Sequence, residues 1–453
     1  MQRDCRGLPL STDSAEAAAL FDRAVDAYLK YHADTGRLAA TAAAADPGFA
    51  LGHVLRAYLL LLAAHPAQRA DIAAASAAAR AAARGLTPRE RGHLDALDAW
   101  EAGALDRAFA AWRAILDAHP TDLLALRVND VILFRHGQTA SIREQADRVA
   151  PAWHPDLPGY ENFLCVWAFA HEETGEIDPP LDAARAALAR DPRNHFAHHV
   201  TAHVLEAAGR PREGAAWIAA QAPNYAGGNN VIHHLWWHRA LMLLDLGERD
   251  AVLASYDEDV RNLDAPLTRG QPDHYVDLQN ATALLWRLEQ AGVDVGTRWE
   301  ELAAKAEARG GDTTHPLLLP HLMLALAATG RVAAAERLAA AMRDAGAART
   351  WTARGIAEAA LPASEAVLAH RRGDHAAVIR LLAPRRAALR LLGGRAAQRA
   401  MFTQMLLDSA RRENDRALAA DLLVEAARAH GAPPAARAGY AEAADWAAAN
   451  RSG

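Results

Sequence analysis

The chain has 453 residues, with 49 Lys and Arg against 55 Asp and Glu, and a formal charge of -6 whose signs are interspersed. That balance offers no basic stripe to a phosphate backbone and excludes nucleic acid as the expected partner. Two cysteines, Cys5 and Cys165, stand far apart in no metal or redox spacing, which excludes a disulfide framework and makes a reducing compartment the default.

Ala, Leu and Arg dominate, so summed propensity favours helix throughout. The start, Met1 to Arg6, is polar and lacks the apolar core of a secretory signal. The most apolar run, Ala57 to Ala64, is too short to span a bilayer, so a cytoplasmic protein with no membrane contact is expected. Ser11 and Thr12, just before Ala15, read as the N-cap of the first helix.

Further along, two kinds of punctuation recur. Pro47, Pro120 and Pro192 each follow an Ala-rich helix ending in Asp or His, and they lie 73 and 72 residues apart. Each gap is about two tetratricopeptide periods of roughly 34 residues, and Pro cannot continue a helix interior. Gly209, Gly247, Gly330 and Gly373 each close a helix, and small residues (Ala215, Ala251, Ala334 and Ala377) follow on the next one. Between these marks, as in Ala108 to Leu116, apolar residues recur at three- and four-residue steps. The longest irregular stretches are Gln221–Asn230 and Leu263–Asp273, neither with the composition of a flexible linker. The prediction is an all-α, tetratricopeptide-like α-solenoid of antiparallel helix pairs, a curved superhelix with a concave groove. One continuous array over 1–453 is expected: N-terminal capping helices at about 12–85, central repeats at about 86–262, and C-terminal repeats at about 273–451.

Several motifs in order resemble the tetratricopeptide repeat protein 38 family. They are Arg3-Asp4-Cys5 with Leu8-Pro9-Leu10-Ser11-Thr12, then Ala43 to Pro47 with Gly52-His53, and His119-Pro120-Thr121-Asp122-Leu123-Leu124-Ala125-Leu126. His199-Val200-Thr201-Ala202-His203, His234 to Leu241, Leu284 to Leu288 with Gly292 to Gly296, and Leu392-Gly393-Gly394 with Ala397-Gln398-Arg399 continue the match. The resemblance runs almost end to end and implies an all-helical, tetratricopeptide-like fold without a reaction to carry over. The chain departs from it at Leu319-Pro320-His321, where family members more often show Asn-Asp-Ala-His.

Histidine is the unusual feature. Of 21, seven fall between positions 195 and 238: His195, His198, His199, His203, His233, His234 and His238. The i, i+4 pairs His199/His203 and His234/His238 each share one helical face. On adjacent helices they could supply four nitrogen ligands to a divalent metal, or a set of general acids and bases. His199, His238 and His321 lie ten, nine and nine residues before a closing glycine, which predicts equal height on a groove wall. Asp277 and Asn280 could add polar groups there, and His171-Glu172-Glu173 could reach the same region. Trp236, Trp237 and Tyr225 read as packing residues, although Trp beside His also suits an organic ligand. Arg395, Gln398 and Arg399 read as helix caps with an anion clamp as the alternative.

Neither histidine pair encloses the Glu of a His-Glu-x-x-His hydrolase, and phosphate loops and nucleophile elbows are missing. The leading expectation is binding of a small molecule or peptide in the groove by His199, His203, His234, Trp237, His238, Asp277 and His321, with no cofactor required. The alternative is an enzyme built on His199, His203, His234 and His238, by acid–base or metal-assisted chemistry; a structural partner in an assembly is the third reading. The oligomeric state stays open, a homodimer included.

Overall fold

A computed structural model describes residues 1–63 and 65–449. Ala64, the end of the apolar run, and position 451, the predicted end of the last repeat block, lie outside the described residues. Twenty-five α-helical segments account for most of the described chain, and a two-residue antiparallel pairing of Gln2–Arg3 with Pro9–Leu10 is its one sheet. The protein is an all-α helical-repeat fold. Successive helices joined by short turns fold back on one another, as Pro88–Glu101 does with Leu105–Ala118 and Tyr160–Glu172 with Asp178–Arg190.

The expected punctuation is in place. Gly209, Gly247, Gly330 and Gly373 all have φ between +67° and +77°, the left-handed conformation that terminates a helix. Pro47, Pro120 and Pro192 sit two residues past the ends of helices Thr35–Ala45, Leu105–Ala118 and Asp178–Arg190, in the connections rather than in the next first turn. Both irregular stretches carry short helices, Ala222–Tyr225 and Pro266–Gly270, and π-helical turns at Tyr256–Val260 and Ile356–Ala360 extend neighbouring helices. No helix among the described residues is long and apolar enough to cross a membrane.

The chain packs as two compact units. Among the described residues the first holds Met1–Phe134, Gln138–Thr201 and Ala222–Ile232; the second holds Arg135–Gly137, Ala202–Gln221 and the residues from His233 to 449. Sequence periodicity, which suggests a continuous array, carries no mark of this division.

The first unit closes on its own N-terminus. Asp4 is buried, and its Oδ1 accepts the Arg6 and Leu8 amides at 3.0 and 2.9 Å, shaping the hairpin turn. Its other oxygen faces Arg89 Nη2 at 3.3 Å, and Arg89 Nε donates to Asp122 Oδ2 at 2.6 Å. Asp122 also pairs with His93 Nε2 at 3.1 Å and accepts the Ala125 amide at 3.0 Å. Ser11 and Thr12 do not cap the first helix. Ser14 does, accepting the Ala17 amide, because Ser11 is engaged by Glu90 and Thr12 donates to Asp46 Oδ2.

In the second unit, helix Tyr275–Gln290 packs against Leu318–Ala328 and Ala396–Arg412, bringing three sequence-distant segments around one core.

Candidate functional site

Three of the four paired histidines meet in the second unit. His203 comes from helix His195–Ala207; His234 and His238 come from helix Val231–Asp245. Their exposures are 2%, 5% and 0%, so these rings do not look into an open groove as the repeat analogy suggests. His238 Nε2 lies 3.1 Å from His203 Nε2 and 3.2 Å from His234 Nε2. The helical period sets this up: the i, i+4 spacing brings His234 edge to face with His238 at 4.6 Å, and Trp237 covers them, its ring stacked on His234 at 5.2 Å and edge-on to His238 at 5.0 Å.

Each outer nitrogen has a protein group beside it. Arg395 Nε donates to His203 Nδ1 at 3.1 Å, Asn280 Nδ2 lies 2.8 Å from His234 Nδ1, and Glu206 Oε2 lies 4.0 Å from His238 Nδ1. A guanidinium has no acceptor, so His203 must carry its proton on Nε2. With Asn280 donating, His234 does the same, and both Nε2–H groups point at the bare Nε2 of His238. His238 then turns its Nδ1–H toward Glu206. One proton assignment therefore accommodates the three Nε2 atoms and the outer nitrogens of His203 and His234, while His238 Nδ1 faces Glu206 beyond hydrogen-bond distance.

Burial drives the electrostatics. It lowers His234 to about 4 and His238 well below the usual imidazole range, where the neighbouring His203 and His234 lower it further. Burial also pushes Glu206 up to about 7. Charged forms of the centre are thus disfavoured from both sides.

Arg395 owes its position to the Gly393-Gly394 turn. Gly393 has φ +74° and ψ -162°, and a Cβ there would meet the Arg135 carbonyl oxygen at 2.3 Å; one on Gly394 would meet Leu317 Cδ2 at 2.4 Å. Gln398 Oε1 accepts the Arg395 amide at 2.9 Å, and Arg399 donates to the carbonyls of Gly393 and Gly394, so the capping roles are visible. Gly393→Ala is expected to cost about 1–3 kcal/mol from backbone strain alone and to loosen the Arg395–His203 bond. A urea midpoint equal to that of the parent protein would contradict this account.

Of the other sequence candidates, His199 lies one turn before His203 on the same helix, and its ring neighbours Tyr31, Phe196 and Phe169 at 6.2, 6.3 and 6.4 Å. His233 bonds the Asp259 carbonyl at 2.6 Å, His195 that of Lys30 and His198 that of Pro192. His321 is buried, with Nδ1 at 2.7 Å from the Leu317 carbonyl and its ring against Phe402. Asp277 pairs with His274 at 3.2 Å and acts on His234 through its charge. His171 is tied to Asp147 and Glu176 and stacks on Trp167. Glu206 was not singled out by the sequence, although it stands three residues past His203, one turn along the same face. A second cluster was also missed: His370 Nε2 lies 2.9 Å from Asp408, with His375 beside it bonded to Ser409. Asp408 is already held by Arg411 and Arg412, which makes that cluster an ion-pair network.

Fold and site together define a helical-repeat protein with a buried histidine centre. No family model matches the sequence. A solved structure titled as Naa15/Naa10 bound to HypK-THB contains a chain similar to this one at 14% identity and a TM-score of 0.26, covering 91% of this chain. The present chain spans 63% of that chain's length, and a likeness of that size carries no argument about function.

Proposed function

We propose that this is a ligand-binding helical-repeat protein of the kind the tetratricopeptide repeat protein 38 resemblance implies, with His203, His234 and His238 forming a centre for a divalent transition metal of the zinc class. The observation behind it is the convergence of three buried Nε2 atoms at 3.1 and 3.2 Å. Nitrogens bound tetrahedrally at ~2.0–2.1 Å from zinc stand about 3.3 Å apart. Glu206 beside His238 Nδ1 suits the outer-sphere carboxylate that orients a ligating imidazole. Asn280, with its amide turned over, would accept from His234 Nδ1 in the same way. Small-molecule or peptide capture remains the broader role.

A second reading rests on one contact. Arg395 donates to His203 Nδ1, whereas an imidazole bound to metal through Nε2 needs its proton on Nδ1. This contact favours a metal-free hydrogen-bonded triad. The two readings part in one experiment: purified protein is incubated with micromolar Zn²⁺ or Co²⁺, desalted and assayed for metal and for cobalt absorption. One ion per chain is expected, with loss in His238→Ala and in His203→Gln and tighter binding in Arg395→Gln. Absence of stoichiometric metal in folded parent protein and in Arg395→Gln sinks the metal centre and leaves the hydrogen-bonded triad.

A further inference from the structure

A cavity of about 360 Å³ opens in the second unit between helices Val231–Asp245, Tyr275–Gln290 and Ala396–Arg412 and the segment at 435–443. Its size falls at the lower end of small-molecule sites, roughly 300–1,000 Å³. The chemistry of its wall is specific. Arg287 is buried, and its guanidinium donates only to the carbonyls of Ala283 and Ala397, at 3.1 and 3.0 Å. Arg437 bonds the Ala426 carbonyl and lies over the Tyr440 ring. Among the described residues neither cation has a carboxylate within ion-pair distance. Arg411 and Arg412, by contrast, are neutralised by Asp408.

Two further wall groups lack partners among the described residues: the indole N–H of Trp286, 2% exposed, and Oε1 of Gln404, 7% exposed. The orientation of the Gln404 amide is fixed, because its Nε2 donates to the Ala438 carbonyl at 3.1 Å. A buried donor and a buried acceptor left without partners each cost stability that a bound ligand would recover. Gly439 makes this arrangement possible: its φ is +78°, and a Cβ there would meet Gln404 Cδ at 2.7 Å.

We propose that this cavity binds a small hydroxy monocarboxylate with an apolar body. The carboxylate answers the Arg287 and Arg437 guanidiniums and the Trp286 N–H, and the hydroxyl donates to Gln404 Oε1. Leu244, Leu407 and the alanines of the 435–443 segment receive the apolar part. A hydroxyl fits better than an ammonium because neither guanidinium has a carboxylate in direct contact, the Asp245 and Glu206 charges acting on both from further away. Asp245, Asp408 and Glu442 also line the cavity, Asp245 with its Oδ1 taken by the Ala438 amide at 2.8 Å, and these carboxylates limit the site to a single negative charge. None of the groups proposed to touch the ligand belongs to the histidine centre, where Glu206 acts on Arg287 and Arg437 through its charge alone, so the site is tested without added metal.

The test uses 3-phenyllactate as the probe in calorimetry and thermal melting of the full chain, beside 3-phenylpropionate, which lacks the hydroxyl, and 2-phenylethanol, which lacks the carboxylate. Phenyllactate is expected to bind and raise the melting temperature, phenylpropionate to bind more weakly, and phenylethanol not to bind. Arg437→Gln, a half-buried position, is expected to weaken phenyllactate about tenfold or more, as loss of a charged hydrogen bond does. Trp286→Phe, which keeps the ring and removes the donor, is expected to weaken it as well. No binding of phenyllactate at millimolar concentration, equal binding of phenylpropionate, or affinity untouched in both variants would overturn the proposal.

Discussion

Lowering the pH from 7 to 4 without metal is expected to destabilise the second unit steeply. His234 and His321 sit at about 4 and His238 lies lower still, all because burial penalises the imidazolium. In the unfolded chain these rings titrate near 6.5. Below that pH the unfolded state takes up protons that the folded state refuses. The stability is therefore full above about pH 6.5 and is lost on the way down to the folded values. Glu206 works in the opposite sense: raised to about 7, it binds its proton first in the folded state and adds stability as pH falls from 7 toward its unfolded value. These three histidines against Glu206 leave about two protons, a slope of ~2.7 kcal/mol per pH unit. His430, also lowered to about 4 by burial, acts in the same sense and the raised Asp245 in the opposite one. Urea midpoints followed by circular dichroism between pH 7 and 4 measure it directly. His321→Leu should flatten the slope by about one proton, and a midpoint constant from pH 6.5 to 4.5 would refute the assignment.

Asp122→Ala is expected to cost about 3–5 kcal/mol, the range for removing one partner of a buried ion pair. Asp122 is fully enclosed, and its loss strands Arg89, 2% exposed, and His93, 0% exposed, in the first unit. Asp4 still faces Arg89 at 3.3 Å, which places the effect toward the lower end. Asp122→Asn keeps an acceptor for the Ala125 amide and should fall between the two. Arg89 and His93 hold the Asp122 carboxyl well below the usual carboxylate range. Its contribution is therefore present above about pH 4 and disappears only as pH drops through the depressed folded value, below the window in which the buried histidines act. Denaturant unfolding within about 1 kcal/mol of the parent protein would show that the cluster is not a stabilising element.

The helices and their ends were legible because they depend on local chemistry. Ala-rich runs, prolines after Asp or His, and glycines at C′ act within a few residues, and the structure places each where the spacing implies. The contact of His203 with the His234/His238 helix was suggested by the two i, i+4 spacings. Its closure was not legible. Arg395 reaches His203 from 192 positions away and Asn280 reaches His234 from 46, and no period in the sequence encodes such contacts. Equal height along a helix also failed to carry His321 to the others, since its imidazole bonds the Leu317 carbonyl one turn back. The division into two units was hidden for a related reason: helix His195–Ala207 runs without interruption through the boundary at Thr201.

The Asp4–Arg89–Asp122 cluster changes how the first unit comes apart. In a repeat array each module touches only its neighbours, and unravelling can start at an end and travel inward. Here the terminal hairpin is clasped to helices far along the chain through charges sealed from water. Releasing the first residues removes the Asp4 carboxylate and leaves the buried Arg89 guanidinium with Asp122 as its one carboxylate partner among the described residues, so fraying from that hairpin carries a cost in its first step, and concerted melting of this unit is the expected result.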